Sequence, residues 1–197
     1  MSQSVFLFKS EKPGNPGNVF SNWYPATFVM PERKYISNDK LTILKIPANN
    51  YVSTEQGMME AKALLCKAYE TANMIMSPYL QELPTSTQDW ENWHKYQSNI
   101  KKLGGPTGIP NYNEAAWSAI RYKVVKDLNR QKFLQNQELM DELINTENIT
   151  LAEGAFYDKI WGIGLSKTHQ DAQYPSRWRG QNLLGKLLME LRNEFNE

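Results

Sequence analysis

The sequence predicts a single α+β domain over residues 1–197, predominantly α-helical, with a few short β-strands. Two observations carry this prediction. Apolar residues recur at helical spacing in several long segments, and short β-like stretches occur in the N-terminal half and near Leu151. The chain has 197 residues, of which 41% are hydrophobic, enough for one well-filled core and too few for two.

The helices are predicted from local start and stop signals. Ser53 is expected to cap a helix over residues 54–69, with Gln56 completing a capping box. Asn113 is expected to cap a long helix whose apolar stripe includes Trp117 and Leu128. Further apolar patterns predict helices over residues 72–83, 89–103, 138–145 and 181–195.

The predicted strands are shorter and less sharply bounded. Val5–Phe8 alternates weakly and is interpreted as a strand. Residues 35–51 contain a β-like run from Leu41 to Ile46 and are expected to form a hairpin arm. A further short strand is expected near Leu151.

Charge and cysteine content limit the functions open to the chain. Twenty-two basic and 21 acidic residues leave a net charge of +1, so any polyanion must be met by a local patch. Cys66 is the single cysteine, and His94 and His169 are the only histidines, which excludes an internal disulfide and argues against a zinc site. We expect no metal. The chain shows no secretory pattern and no run of ~20 apolar residues, so we expect a cytoplasmic protein without membrane contact.

The first chemical candidates are Glu55 and Lys62 on the helix that follows Ser53. They lie seven residues apart, so both project from one helix face and could share a site. The ordinary alternatives are a glutamate that stabilises the helix N-terminus through its dipole and a solvated lysine.

The second candidate is the segment 153–164, which combines Glu153, Asp158 and Trp161 with Gly162 and Gly164. It has too many glycines for a stable helix and too many aromatics for a solvated loop, so we interpret it as a packed functional loop. The alternative is an aromatic-rich turn that fills the core. Six tryptophans and ten tyrosines in the whole chain mildly favour a nucleotide-like ligand, although core packing is their commoner role.

Several short pieces occur in the order typical of one family, and the chain resembles the NADAR superfamily through them. Each is weak alone, and together they extend from about Phe20 to Arg192. They are Phe20-Ser21-Asn22-Trp23-Tyr24-Pro25, Ser53-Thr54-Glu55-Gln56, Ala61-Lys62-Ala63, Trp117, Lys132-Phe133, Gln135-Asn136, residues 151–153, Trp161-Gly162-Ile163-Gly164, and Gly180-Gln181-Asn182-Leu183-Leu184-Gly185 with Leu188-Met189 and Arg192.

The resemblance implies an N-glycosidase that cleaves the bond between ribose C1 and an exocyclic amino group. Glu55 resembles the family's functional glutamate and is expected to act in acid/base catalysis. Asp158 is expected to position water or stabilise the sugar charge. Lys62 is expected to serve as an electrostatic partner or, alternatively, to form a Schiff base with the opened sugar. The implied substrate-binding residues are Asn22, Trp117, Glu153, Trp161, Gly162, Gly164 and Asn182, with the two tryptophans holding the base.

The resemblance leaves the substrate open. We expect ADP-ribosylated guanine in a nucleic acid or nucleotide, and the alternatives are a small phosphoribosyl-aminopyrimidine of riboflavin biosynthesis or a non-catalytic ADP-ribose-binding module. Water is the second substrate, so no cofactor is expected. Residues 37–50 and 82–111 look like additions to more compact members, and Gly57-Met58 stands where an aromatic pair is common.

Overall fold

The structure, a computed structural model, describes residues 4–9, 14–78, 83–84 and 87–197. Two short 3-10 helices, Asn18–Phe20 and Pro175–Arg177, accompany the regular elements. In chain order these elements are β1 (Val5–Phe8), β2 (Phe28–Met30), β3 (Arg33–Ile36), β4 (Ile43–Ile46), β5 (Asn49–Tyr51), α1 (Thr54–Leu65), α2 (Tyr69–Ile75), α3 (Thr87–Leu103), α4 (Glu114–Leu134), α5 (Gln137–Ile144), β6 (Thr150–Glu153) and α6 (Leu183–Phe195). The predicted α-rich α+β class is confirmed.

The chain forms two compact units. The first consists of Met1–Tyr24 and Gln137–Glu197, and the second of Pro25–Asn136. In the first, β1 pairs in parallel with β6, placing Phe6 opposite Leu151, and α6 packs on β6. The predicted strand at Val5–Phe8 and the strand near Leu151 are therefore confirmed as partners. Whether the whole chain behaves as one domain stays a prediction, which calorimetric unfolding tests by the number of transitions.

The described residues of the Pro25–Asn136 unit form two antiparallel strand pairs and four helices. β2 pairs with β5, and β3 pairs with β4. Helix α1 packs against α2, α3 and α4. Gly57 lies at the contact between α1 and α4, because a Cβ at that position would stand 2.6 Å from a methyl carbon of Leu128. A small residue is thus needed at the α1–α4 contact.

Two helices have boundaries that differ from the predicted ones. Helix α1 stops at Leu65 rather than at residue 69, because Lys67 takes a left-handed conformation at φ 58° and the Ala68 amide donates back to the Ala63 carbonyl at 2.9 Å. Helix α2 spans Tyr69–Ile75 rather than 72–83. It ends shortly before Pro78, whose ring disfavours helical geometry in the preceding residue. Residues 79–82 of that prediction lie outside the described residues.

The remaining helices agree with their predictions to within two residues at each end. The hairpin prediction for 35–51 was only partly right. Strands β3 and β4 form a hairpin, whereas β5 leaves it to pair with β2, a strand that the sequence did not predict. Among the described residues, none of the helices has both the length and the apolar character that crossing a membrane requires.

Candidate active site

The N-terminus of α1 is fixed by side-chain hydrogen bonds. The Gln56 amide donates to Ser53 Oγ at 3.1 Å, which confirms the predicted cap. The reciprocal bond of a capping box does not go to Ser53, because Gln56 Oε1 accepts from the Val52 amide at 3.1 Å and Gln56 Nε2 donates to the Ile75 carbonyl. The cap of α1 therefore rests on Ser53 and Gln56, and Glu55 between them is not needed for it.

Glu55 lies in the first turn of α1 and is buried, with 2% of its surface exposed. An exposed glutamate that merely stabilises the helix dipole does not fit this position. A buried carboxyl group requires compensating polar or charged partners, and the amide end of a helix offers a favourable field for its ionised form. Such a carboxyl group has few water competitors, so its electrostatic effect on a bound group is strong.

Lys62 and Trp117 are brought together within the Pro25–Asn136 unit. The Lys62 Nζ lies 5.5 Å from the centroid of the Trp117 ring and 3.7 Å from Met59 Sδ. Lys62 is half-buried, and Trp117 on α4 is 2% exposed. This geometry differs from that of a solvated helix lysine and is a cation–π contact. We call Glu55, Lys62 and Trp117 the helix group.

A buried polar network in the same unit was missed by sequence reasoning. Glu60 accepts hydrogen bonds from the Tyr51 hydroxyl and, at 2.6 Å, from Asn49 Nδ2. Arg33 donates to the same Tyr51 hydroxyl at 2.6 Å. Burial raises the pKa of Glu60, and these partners oppose the rise. No local pattern signals the network, because its members lie on β3, β5 and α1.

Lys132 is a second buried group without a role in the sequence analysis. It is fully buried near the end of α4, and its Nζ lies 5.2 Å from the centroid of the Phe133 ring. Burial lowers the pKa of Lys132 to about 7. The sequence placed Lys132-Phe133 among the family-like pieces but gave no physical reason for it.

The segment 153–164 is held by its own hydrogen bonds. Asp158 Oδ1 accepts from the backbone amides of Ile160 at 2.9 Å and Trp161 at 2.7 Å. The Asp158 carbonyl accepts from the Gly164 amide at 3.1 Å, where Gly164 has a positive φ of 67°. One carboxylate oxygen of Asp158 therefore shapes the turn that carries Trp161.

Asn182 ties the same segment to β6 and to the start of α6. Its Oδ1 accepts from the Glu153 amide at 3.1 Å, its Nδ2 donates to the Leu151 carbonyl at 2.9 Å, and its own amide donates to the Gly162 carbonyl. Asn182 takes a left-handed conformation at φ 51° and is 1% exposed. A Cβ on Gly162 would stand 2.9 Å from the Glu153 carbonyl oxygen, so the close approach of these two backbone segments excludes a larger residue at position 162.

The structure thus brings together six of the predicted residues in the first unit. We call them the loop group: Glu153, Asp158, Trp161, Gly162, Gly164 and Asn182. Trp161 is 7% exposed. Asn22, also in this unit, is buried in a turn where Ser21 Oγ accepts from the Trp23 amide at 3.1 Å.

Arg192 of α6, one of the family-like residues of the sequence, is buried. It is 4% exposed and donates to Thr146 Oγ1 at 2.7 Å and to the Ile149 carbonyl at 2.9 Å. Its long side chain reaches acceptor oxygens in the segment that follows α5. Arg192 therefore secures the connection between α5 and β6.

Comparison with known proteins agrees with this fold and with these motifs. The NADAR domain model matches residues 7–196, and the chain belongs to that family. N-glycosidase R617 of Acanthamoeba polyphaga mimivirus is 34% identical over 191 residues, covering 96% of this chain and 95% of its own length. A riboflavin biosynthesis protein of Vibrio vulnificus is 35% identical over 81 residues, 41% of this chain and 19% of that protein.

The fold has a solved counterpart. The NMR structure of Escherichia coli YbiA superposes with a TM-score of 0.61 at 21% identity, covering 100% of this chain and 87% of YbiA. YbiA itself is named an N-glycosidase. The family predicted from the motifs is thereby confirmed, and so is the prediction of an enzyme of the glycosidase class.

Proposed function

We propose that this N-glycosidase hydrolyses the bond between ribose C1 and the exocyclic amino group of a nucleobase-like ring, with ADP-ribosylated guanine as its substrate. The observation that carries the proposal is the helix group: a buried glutamate in the first turn of α1 and, on the same helix, a lysine over a buried tryptophan ring. These are the residue types that the reaction needs.

The reaction needs a proton on the departing nitrogen and stabilisation of positive charge on the sugar. Water adds its hydroxyl group to C1, the C1–N bond breaks, and the base leaves with an intact amino group. Glu55 donates the proton to that nitrogen and, as a carboxylate, stabilises the oxocarbenium-like sugar or activates the water. Trp117 provides a flat apolar surface for the base.

For Lys62 we propose an electrostatic role. An ammonium group over a ring face gains cation–π energy that a neutral amine does not, and a Schiff base requires the neutral amine as nucleophile. The alternative is tested by borohydride reduction during turnover. We expect no protein–sugar adduct by mass spectrometry, and an adduct on Lys62 would establish the covalent route instead.

The loop group and Asn22 are proposed as substrate residues on the strength of the family resemblance. Asp158 retains a second carboxylate oxygen beyond the one that shapes the turn, and we propose that it positions water or stabilises the sugar charge. Trp161 is proposed as a contact for the base, and Glu153, Gly162, Gly164 and Asn182 as residues that shape the binding surface.

A second candidate substrate is a phosphoribosyl-aminopyrimidine of riboflavin biosynthesis. The similarity to the riboflavin biosynthesis protein of Vibrio vulnificus supports it. Both candidates share the ribose C1–amino bond, so the same catalytic group serves either. They differ in what surrounds that bond, a nucleic acid or diphosphate in one case and a single phosphate in the other.

The test is product release from both substrates, followed by mass spectrometry. ADP-ribosyl-guanine, as an oligonucleotide and as a nucleotide, and a phosphoribosyl-aminopyrimidine are offered in parallel to the wild type. We expect free ADP-ribose from the first substrate at the higher kcat/KM. Preference for the aminopyrimidine would select the second candidate. Absence of any release, together with ADP-ribose binding in calorimetry, would identify a non-catalytic binding module.

A further inference from the structure

The hairpin of β3 and β4 has one buried face and one exposed face. Tyr35 and Leu44 stand opposite each other and are buried, whereas the next opposed pair, Ile36 and Ile43, is 39% and 55% exposed. Leu41, two residues before Ile43, is 85% exposed. Because side chains at alternate positions of a strand share a face, Ile36, Ile43 and Leu41 form an apolar patch on the outer face of the hairpin.

The hydrogen bonds of the hairpin show which backbone groups face outward. The Ser37 amide donates to the Thr42 carbonyl at 2.9 Å, so these two residues are bonded to each other within the hairpin. In an antiparallel ladder such pairs alternate with pairs whose amides and carbonyls point away from the partner strand. By this alternation, Ile36 and Ile43 are an outward-pointing pair. The Ile36 carbonyl agrees, because it faces Lys123 Nζ of α4 at 3.3 Å.

The outer edges of the strands in this unit differ in what covers them. On β3 the edge meets the lysine just described. On β2, Gln135 accepts from the Val29 amide and donates to the Val29 carbonyl, both at 2.8 Å. On β4, within the described part of the chain, no group pairs with the outward amides and carbonyls of Ile43 and Lys45. Such an open edge offers its backbone groups to a further strand.

The edge of β4 is complementary to a second copy of itself. When two β4 strands pair antiparallel about a two-fold axis, Ile43 lies opposite Ile43 of the second copy, and these residues exchange both their amide–carbonyl hydrogen bonds. Ile36 flanks Ile43 in each copy, so the apolar row then runs across both hairpins. The pairing thus satisfies the open backbone groups and joins the two apolar patches.

The charges at the edge fit the same register. Lys45 falls opposite Leu41 of the second copy, whereas a pairing centred on Lys45 would oppose two like charges. The diagonal neighbour is Asp39, whose carboxylate accepts from the Ser37 hydroxyl and, at 3.0 Å, from the Leu41 amide. These hydrogen bonds lower the pKa of Asp39, so it is ionised at neutral pH. Diagonal neighbours are about 7–8 Å apart, within reach of a lysine side chain.

We infer that the outer edge of β4 is a self-association surface, at which two copies of this chain join their β3–β4 hairpins into one antiparallel sheet centred on Ile43. A second copy is the occupant because the open backbone edge, the apolar patch and the pair of Lys45 with Asp39 all match under one two-fold axis. The contact is small, so the dimer is weak and depends on concentration. The inference does not depend on the substrate of the enzyme.

The first test is sedimentation velocity of the full chain at concentrations from about 5 to 500 µM, a range that suits a weak complex. The wild type is expected to shift from monomer to dimer across this range. Ile43→Lys places two lysines opposite each other at the axis and should weaken the dimer at least about tenfold. Val29→Lys is the matched control, because Val29 is also 55% exposed but lies on the edge that Gln135 covers, and it should associate like the wild type.

A mixing experiment tests the two-fold register itself. Ile43→Glu alone should associate as poorly as Ile43→Lys, because like charges again meet at the axis. An equimolar mixture of the two variants should recover the dimer, because residue 43 of one copy faces residue 43 of the other. A variant that had merely lost its fold would not be rescued by mixing.

Four results would overturn the inference. These are a wild type that stays monomeric over the whole range, equal loss of association in Val29→Lys, an unchanged dimer in Ile43→Lys, or no recovery in the mixture. If a variant at position 43 fails to fold by circular dichroism, Lys45→Gln takes its place. Because it removes the charge pair with Asp39, Lys45→Gln should also weaken the dimer, and an unchanged dimer would count against the register.

Discussion

The helix group and the loop group differ in how much of the fold depends on them. In the helix group, the cap of α1 is made by Ser53 and Gln56, and Glu55 takes no part in it. In the loop group, Asp158 and Asn182 supply the hydrogen bonds that hold the segment 153–164 in place. The helix cap beside Glu55 is thus made by other side chains, whereas the segment 153–164 depends on hydrogen bonds of two of its own candidate residues.

This contrast between the two groups decides how variants of the enzyme should be interpreted. Loss of activity after a change in the loop group reports stability and chemistry together. Loss of activity after a conservative change in the helix group reports chemistry. In the loop group, a variant that removes only a charge must therefore be compared with a variant that removes hydrogen bonds.

The largest effect is expected for Glu55→Gln. The amide has the same shape but can neither donate a carboxylic proton nor stabilise a sugar cation, so kcat should fall by about 10³-fold while substrate binding remains. Steady-state kinetics and calorimetric binding measure the two quantities. Glu70→Gln, an exposed first-turn glutamate of α2, is the matched control and should keep full activity. Equal loss in the control would remove Glu55 from the mechanism.

The second prediction concerns Asn182→Ala. Two hydrogen bonds to backbone groups of β6 are lost, so the free energy of unfolding should drop by about 3 kcal/mol. Urea unfolding measures the drop, with Asn193→Ala, an exposed change on the same helix, as the control. A drop no larger than that of the control would mean that the loop group does not depend on Asn182.

The third prediction concerns Asp158→Asn, which removes a charge of the loop group but keeps a hydrogen-bond acceptor. The side-chain amide oxygen can still accept from the Ile160 and Trp161 amides, so stability should change by less than about 0.5 kcal/mol. The charge is lost, and kcat should fall by about 50-fold if Asp158 stabilises the sugar cation. Thermal unfolding and kinetics are measured on one preparation. Full activity with full stability would restrict Asp158 to shaping the turn.

The last prediction is a pH dependence of stability that arises from buried Lys132 in the Pro25–Asn136 unit. Because the pKa of Lys132 is lowered to about 7 by burial, the unfolded chain binds a proton that the folded chain lacks between pH 7 and about 10.5. The free energy of unfolding should therefore rise with pH across this window, by at most about 1.4 kcal/mol per unit.

Lys132→Met should remove this rise, and Lys95→Met on α3 should leave it unchanged. Urea unfolding at several pH values between 7 and 10 measures both variants against the wild type. The same slope in Lys132→Met and the wild type would show that Lys132 is charged in the folded protein.

Features that depend on residues close together in the sequence were predicted, and features that depend on distant residues were not. Helix starts were predicted because a cap is local: Ser53 and Asn113 each accept from an amide three residues later. The end of α1 was missed because the left-handed conformation of Lys67 has no glycine to signal it. The pairing of β2 with β5 was missed because it joins strands that are not adjacent in sequence.

For the candidate site residues too, positions along one helix were predicted, but contacts between different elements were not. Helical spacing placed Glu55 and Lys62 on one face, but the contact of Lys62 with Trp117 depends on the packing of α1 against α4, which spacing does not give. Glu60 was passed over because an acid at a core position is unpredictable without its partners Tyr51 and Asn49. Local sequence patterns predicted helices and strands, whereas most of the candidate functional residues came from the family resemblance.

Isotope labelling of the products tests whether the enzyme hydrolyses the ribose C1–N bond, as the proposed function requires. The wild type is incubated with ADP-ribosyl-guanine in water enriched in ¹⁸O, and both products are weighed by mass spectrometry. The heavy oxygen is predicted to appear in the sugar product, with the base released unlabelled and with its amino group intact. Heavy oxygen in the base, or labelled phosphate with the C1–N bond unbroken, would exclude hydrolysis at C1.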